Sequence, residues 1–562
     1  MRTGIFKFPA KAKTRLYLVA CAGAGAATAT ATGISLAAFN PNSPSLSYDS
    51  LLRSSIFPEK ILTVFHGVNR SSRAIYTIAY TVVDYKYSLH GLPVDSHEYL
   101  QKLSEVHSRS AKRIRNLCEA NKGFYVKAGQ FVAALPQVPK EYSSTLSSLQ
   151  DQTAPCDFKA IKKVLISNLG QDLSGIFLSL DEQPIAAASI AQVHRGTLKD
   201  QQEVAIKVQY PGLENQMKLD TSIMSFLSKC TEWFFPEYRF EWLVSEFVEA
   251  ISFELDFIQE ARNSERTAKN FKSNDMVQVP HIFWELTTRQ VLTMEFCGGR
   301  KVDDVEFLKE MGINPIKVAK ALVEVYAEMI FIHGFVHGDP HPGNILVSPE
   351  GRYGFSLVLL DHGIYKQLDE GFRLDYCELW KALILLDSKK IQQLGECFGV
   401  GKYARYFPLI FTGRTIDSKS PLGRGMSSDE KRNLKQELGS LQMEDISSFM
   451  ESLPPEFLVI LRTDGLLRSI LRKLGASQRV RLLAYAKYAL YGLSPRSNPQ
   501  SDFPIKAVLS RLKTNISYLH LRLVLEVLEL LSWMGKIRRL LYTLTERFVG
   551  GIRSILTLSL SN

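Results

Sequence analysis

The sequence has no C-x-x-C pair. Its seven cysteines (Cys21, Cys118, Cys156, Cys230, Cys297, Cys377 and Cys397) are far apart and odd in number. That excludes a disulfide framework or a zinc knuckle and reads as small core residues in a reducing or neutral compartment. The 562 residues also lack a basic body. Of the formal net charge of +11, residues 1–60 carry +5 and residues 501–562 another +5, leaving +1 for everything between. A nucleic-acid groove places its positive charge on the folded body, so that class of partner is excluded. Charge at the two ends favours a membrane surface or targeting. Length implies two to four domains, and 45% hydrophobic with 22% charged residues is the balance of folded protein.

Acidic residues are absent before Asp49, whereas Arg2, Lys7, Lys11, Lys13 and Arg15 all precede it. From Tyr17 to Phe39 the chain carries no charge and is mostly Ala, Gly and Thr. This is the composition of a mitochondrial import segment. It is long enough to span ~30 Å of hydrocarbon, although Ala and Gly gain little there. Import followed by cleavage, import with a weak inner-membrane anchor, a secretory signal and a flexible tail are the alternatives.

Residues 40–60 are rich in Ser, Pro and Asn and form a linker. Helical periodicity runs from 61 to 150, and "CDFKAIKKVLISNLG" adds a helix with Asp157 as N-cap and Gly170 as its left-handed stop. The β-branched runs "IAAASIAQVHRGTL" and "QEVAIKVQY" predict a hairpin. Helices from 213 to 272 follow, then two strand-like runs, "VPHIFWEL" and "RQVLTMEF", and a helix from 314 to 333. After "VLLDHG" the chain reads as helical almost to its end. The fold class is therefore α+β. Its segments are 1–60 (targeting and linker), 61–180 (helical extension), 181–300 (small lobe), 301–500 (large lobe) and 501–562 (C-terminal amphipathic helices).

"HGDPHPGN" (337–344) cannot be helix interior, with two prolines and two glycines in eight residues. Asp339 and Asn344 match the D-x-x-x-x-N of a protein-kinase catalytic loop. There the Asp takes or orients the proton of the attacking group and the Asn holds magnesium. Asp361, in "SLVLLDHG", stands at the end of an apolar strand where it can reach a metal on ATP phosphates. Lys207 of "VAIK" is a strand lysine that needs a phosphate and a carboxylate to be tolerated, and Glu260 is the candidate carboxylate. Glu295, in the hinge-like "TMEF", joins the nucleotide-binding set. His337 and His341 lack a third ligand at zinc spacing and read as loop architecture. Each piece alone is an ordinary turn or strand; their order and spacing make the set.

Three departures separate this set from a standard protein kinase. Ala186, Ala187, Ala188 and Ser189 occupy the place of the glycine-rich phosphate loop, where Gly lets backbone approach phosphate. No A-P-E follows Asp361, and the next helix begins near Asp369. About ninety residues of helix precede the small lobe and contain "KAGQ". Together these features resemble the UbiB (aarF-domain) family of atypical kinases, through KxGQ at Lys127, Gly129 and Gln130, the Ala-rich loop, Lys207, an ExD pair at Glu254 and Asp256, and the loop of Asp339 and Asn344. Within the family the chain looks more like the mitochondrial branch than the one directly required for coenzyme Q biosynthesis. His362 stands where many relatives have Phe.

The resemblance implies a protein-kinase-like two-lobed fold with KxGQ helices over the substrate groove. It implies ATP (or ADP) and Mg²⁺ as cofactors, a lipid or quinone-like ligand, and a mitochondrial-membrane association. By position, Lys207 and Glu260 form the ion pair at the nucleotide, Asn344 and Asp361 hold Mg²⁺, and Asp339 is the acid/base. Lys127, Gln130, Glu254 and Asp256 form a lid network. Either an ATPase or small-molecule kinase, or a nucleotide-gated binding module, satisfies these residues. "LHLRLVLEVLELLSWMGKIRRLLYTL" (519–544) is apolar, but Arg522, Glu526 and Glu529 make one polar stripe of a helix. It reads as packed on the body, or lying at a membrane interface with Lys536, Arg538 and Arg539 at its basic end.

Overall fold

The computed structural model describes residues 59–494, apart from 94–95, 134–137, 150–154, 171, 189, 236–240, 416–425, 427–429, 435–447 and 450–451, together with scattered positions from 512 to 534. The expected targeting segment lies outside the described residues. So do Glu529, Lys536, Arg538 and Arg539 of the C-terminal stripe; its Glu526 is described and accepts from Arg479 at 2.8 Å. Among the described residues no helix is long and apolar enough to cross a membrane.

The chain divides into two compact units. The first is all helix: α1 (Glu59–Ser88), α2 (His97–Asn121), α3 (Phe124–Ala133), α4 (Lys140–Leu146) and the later helix Leu213–Phe234. Ser96 caps α2 by accepting from the Tyr99 N–H, and Val106, Ala111, Leu117 and Cys118 make its buried face. The Leu213–Phe234 helix belongs here through a buried ion pair between Arg70 and Asp220. Asp84 of α1 ties down α2 by accepting from Arg109 at 2.8 Å and Arg113 at 2.6 Å. Burial works to raise the Asp84 carboxyl, but hydrogen bonds from Arg109, Arg113 and Ser88 hold it down at about 2.

The second unit carries the sheets. After α5 (Phe158–Leu169) come β1 (Phe177–Leu180), β2 (Ala186–Ala187), β3 (Ala191–Leu198), β4 (Glu203–Gln209) and β6 (Val291–Glu295), in the antiparallel order β1-β3-β4-β6 with β2 on β3. Asp157 caps α5 as its sequence predicts, and Gly170 ends it at φ +103° with an extended ψ of 171° rather than in a left-handed helical turn. Ile161, Val164 and Leu165 of α5 pack with Phe177, Leu198, Val204, Ile206 and Val208, so this layer starts ahead of residue 181. Alternation along β4 turns Val204, Ile206 and Val208 to that core and Lys207 to the other face. On the chain between β4 and β6 lie α6 (Glu241–Glu254), α7 (Phe257–Asn270) and the short β5 (Val277–Gln278). "VPHIFWEL" is not a regular strand: one isolated bridge at Ile282 is followed by a 3-10 turn at Trp284–Leu286, since Pro280 has no N–H for a ladder.

The large lobe follows β7 (Arg300–Lys301). Its helix α8 (Pro315–Ala327) starts at an Asn314 cap and ends in a π-helical turn, Glu328–His333, rather than running as one α-helix to 333. Next come β8 (Phe335–His337), β9 (Ile345–Ser348), β10 (Ser356–Leu359) and β11 (Tyr365–Gln367). β9 lies between β10 and β7, and β11 pairs with β8, a strand inside the stretch that reads as helical. Helices α9 (Glu370–Leu385), α10 (Pro455–Lys473) and α11 (Gln478–Gly492) complete a core that buries Tyr326, Phe331, Trp380, Phe411, Phe457 and Tyr485.

Candidate active site

Lys207 sits mid-strand in β4, in register with Val193 of β3 and Leu292 of β6. Its ammonium donates to both Glu260 oxygens, at 2.7 and 3.0 Å, and lies 3.3 Å from Asp361 Oδ2. Glu260 is 1% exposed, in the first turn of α7. Asp256 fixes the start of that helix by accepting from the N–H groups of Ile258 and Gln259. Burial works against the Lys207 charge, but Asp361 and Glu260 outweigh it and raise the ammonium pKa. Burial pushes Glu260 upward, against the pull of Lys207.

Asp339 and Asn344 flank one turn. The Asn344 amide donates to the Asp339 carbonyl at 3.2 Å and to its Oδ2 at 3.4 Å, which leaves Asn344 Oδ1 as the acceptor for a cation. Oδ1 of Asp361 accepts from the Gly363 N–H at 3.0 Å. His337 joins the two acidic stretches. Its Nδ1 accepts the Asp339 N–H at 3.1 Å, so Nε2 carries the proton and donates to the Asp361 carbonyl at 2.6 Å. His341 Nδ1 accepts the Gly343 N–H at 3.1 Å. Both histidines therefore have roles in holding the loop.

His362, in place of Phe, is 2% exposed and works by hydrogen bonds instead of apolar packing. Its Nε2–H donates to the Leu359 carbonyl at 3.0 Å and its Nδ1 accepts from the Tyr365 hydroxyl at 2.9 Å. The Tyr365 ring stacks on His362, and its hydroxyl accepts from Thr267 of α7 at 3.0 Å. Asn263, also on α7, donates to the His362 carbonyl at 3.0 Å. Burial keeps His362 neutral, with its pKa down at about 3. The helix that carries Glu260 is thereby stitched to the segment that carries Asp361.

The other candidates divide. Glu254, the last residue of α6, is 7% exposed and packs against Gly363, beside the Lys207 cluster. Ala186 and Ala187 pair with Val193 and Gln192 of β3, and the Ala188 N–H donates to the Ala191 carbonyl at 2.8 Å, closing a tight hairpin. Ser189 lies outside the described residues. Glu295 ends β6 and accepts the His281 N–H at 3.2 Å. Lys127, Gly129 and Gln130 lie on α3 of the first unit, where Gln130 donates to the Leu149 carbonyl at 3.0 Å. A Cβ on Gly129 would run into Leu149 and Cys118, so this glycine is required for close packing.

Sequence reading missed Asn263, Thr267, Tyr365 and Arg462. The guanidinium of Arg462, on α10, lies 3.5 Å from Asp339 Oδ1. Nothing local marks any of the four as a site residue.

Glu260, Asp361 and Glu254 act on Lys207, and Asp339 faces Arg462, so carboxylates outnumber cations here and a divalent cation would offset the difference. Among the described residues no three His, Cys, Asp or Glu side chains form a metal cage. An amide oxygen and a carboxylate fit Mg²⁺, which takes few protein ligands and fills its shell with phosphate and water.

Residues 148–395 match the ABC1 atypical kinase-like domain. The chain is 40% identical over 412 residues to AarF domain-containing protein kinase 1 of Mus musculus, covering 73% of this chain and 78% of that one. With AarF domain-containing kinase 1 of Drosophila melanogaster it shares 35% over 419 residues, covering 74% and 81%. The Mycobacterium tuberculosis protein Rv3197, solved with erythromycin, superposes at a TM-score of 0.45 and 22% identity over 69% of this chain and 99% of its own.

Proposed function

Because the chain belongs to the ABC1/AarF family of atypical kinases, we propose that it is a Mg²⁺- and ATP-dependent kinase or ATPase acting on a small-molecule or lipid-like substrate, at the mitochondrial membrane and in lipid or coenzyme Q homeostasis. The convergence of Lys207, Glu260, Asp339, Asn344 and Asp361 carries this reading. In it, Glu260 orients the Lys207 ammonium toward phosphate oxygens. Asn344 Oδ1 and the Asp361 carboxylate hold Mg²⁺, which when bound draws off phosphate charge during transfer. Asp339 accepts the proton of the attacking hydroxyl or water.

A small substrate is supported by the seven residues between Asp361 and Asp369, three of which are strand β11. They leave little chain for a peptide-docking segment. The acid-free basic N-terminus supports the mitochondrial address.

Purified full-length protein is expected to release phosphate from Mg-ATP, faster with vesicles of mixed zwitterionic and anionic lipid, and Asp339→Asn to abolish it. Equal activity in that variant removes the catalytic reading. The sheet-paired alanines in place of a glycine loop favour a second reading, a nucleotide-gated binding module. Rescue of null cells by Asp339→Asn but not by Lys207→Met would select it.

A further inference from the structure

The catalytic loop brings no fixed positive charge of its own. Between Asp339 and Asn344 stand Pro340, His341, Pro342 and Gly343. Negative charge developing at a phosphoryl group calls for a nearby cation. The structure supplies one from a distant part of the chain: Arg462 Nη2 is 3.5 Å from Asp339 Oδ1, with the two side chains 13% and 20% exposed.

The geometry around this contact is specific. Arg462 faces Oδ1 while the Asn344 amide faces Oδ2 at 3.4 Å, so the carboxylate is held from both sides. At 3.5 Å the guanidinium acts as a charge more than as a hydrogen-bond donor, which leaves Oδ1 able to accept a proton. The neighbouring Thr463 hydroxyl lies 3.4 Å from the His337 carbonyl, and Val459 packs against Gly338. α10 therefore backs the catalytic loop at three consecutive residues. The helix is itself fixed: buried Asp464 pairs with Arg481 at 2.8 Å and with Arg468 at 2.6 Å. Arg481 and Arg468 in turn donate to the Phe411 carbonyl at 2.7 Å and the Ile410 carbonyl at 2.8 Å.

We propose that Arg462 is a positioning residue for Asp339, aiming its carboxylate from α10 and supplying the positive charge that the loop lacks. This rests on the phosphoryl-transfer reading above. Truncating a charge-assisted contact of this kind corresponds to about a 10- to 100-fold loss. The loss should fall on kcat, because Arg462 acts on the proton acceptor and the adenosine moiety is far from it in role.

The test uses the full-length chain, with phosphate release from Mg-ATP and direct nucleotide binding measured side by side. Arg462→Gln is expected to lower kcat about 10- to 100-fold while the Mg-ATP dissociation constant stays within about threefold. Arg462→Lys should recover most of the rate, and added guanidinium ion should partly restore Arg462→Ala but not Asp339→Asn. Wild-type kcat in Arg462→Gln overturns the proposal. So does an equal collapse of melting temperature and nucleotide binding in the Gln and Lys variants, which makes the role structural. A wild-type chain that binds Mg-ATP without turning it over sinks the phosphoryl-transfer reading itself, and this role with it. An active wild type beside a fully active Arg462→Gln sinks the role alone.

Discussion

The Nε2 proton of His337 goes to the carbonyl oxygen of Asp361, 2.6 Å away, while Nδ1 of the same ring takes the N–H of Asp339. One buried, neutral imidazole thus sets the spacing between the residue proposed to take the proton and the residue proposed to hold the cation. Replacing His337 by Ala removes both bonds. A displacement of this size at a reacting centre is worth about 10²-fold, so steady-state phosphate release should fall to that degree while nucleotide binding persists. Unchanged turnover would show that the two stretches keep their spacing without the ring.

Lys207 and Glu260 are a buried pair, and removing Lys207 strands Glu260, whereas Lys207 without Glu260 still has Asp361 at 3.3 Å. Lys207→Met alone should destabilise the chain by about 3–5 kcal/mol, measured by denaturant unfolding. The double variant Lys207→Met with Glu260→Leu should regain much of that loss, although it binds no nucleotide.

Restoring the common D-F-G by His362→Phe tests how the substitution works here. Phe cannot donate to the Leu359 carbonyl or accept from Tyr365. A buried carbonyl left unpaired costs about 1–3 kcal/mol, so the melting temperature should drop. A stabilised His362→Phe chain would mean that the hydrogen bonds only replace lost packing.

The motif residues were legible because each belongs to a short local pattern: a strand lysine, a helix glutamate, an Asp–Asn loop, an aspartate at a strand end. Their partners were not. Asn263 and His362 are 99 residues apart, and Thr267 and Tyr365 98; only tertiary packing brings them together. The hairpin of β3 and β4 was readable from its β-branched alternation and polar turn. The expected strand at 279–286 was not a strand, because Pro280 and the 3-10 turn at Trp284 defeat its composition. Gly129 looked like a signature position, and the packing of Leu149 and Cys118 gives it a physical reason.

That reason yields a prediction. Gly129→Val places a branched side chain where Leu149 and Cys118 already meet α3, and overpacking costs typically about 1–3 kcal/mol. The loss should appear as reduced hydrogen-exchange protection in α2 and α3. Full protection in both helices would mean that the packing relaxes freely.

Acid should loosen the tie between α1 and α2. The Asp84 carboxyl is held at about 2, below its ordinary 3.8. A depressed carboxylate contributes stability above its unfolded value and loses it as pH falls through its folded one. The contribution, about 1 kcal/mol after allowing for solvent screening, is therefore complete above pH 3.8 and disappears toward pH 2. Asp84→Asn should abolish this part of the acid response in a pH-dependent unfolding series.

The short passage from Asp361 to Asp369 also bears on control. Its seven residues, His-Gly-Ile-Tyr-Lys-Gln-Leu, contain no serine or threonine. The one hydroxyl, on Tyr365, is turned inward against His362 and Thr267. The passage where many kinases are switched on thus offers no serine or threonine, and its tyrosine hydroxyl is already engaged. A modification in this passage would first have to free the Tyr365 hydroxyl from His362 and Thr267.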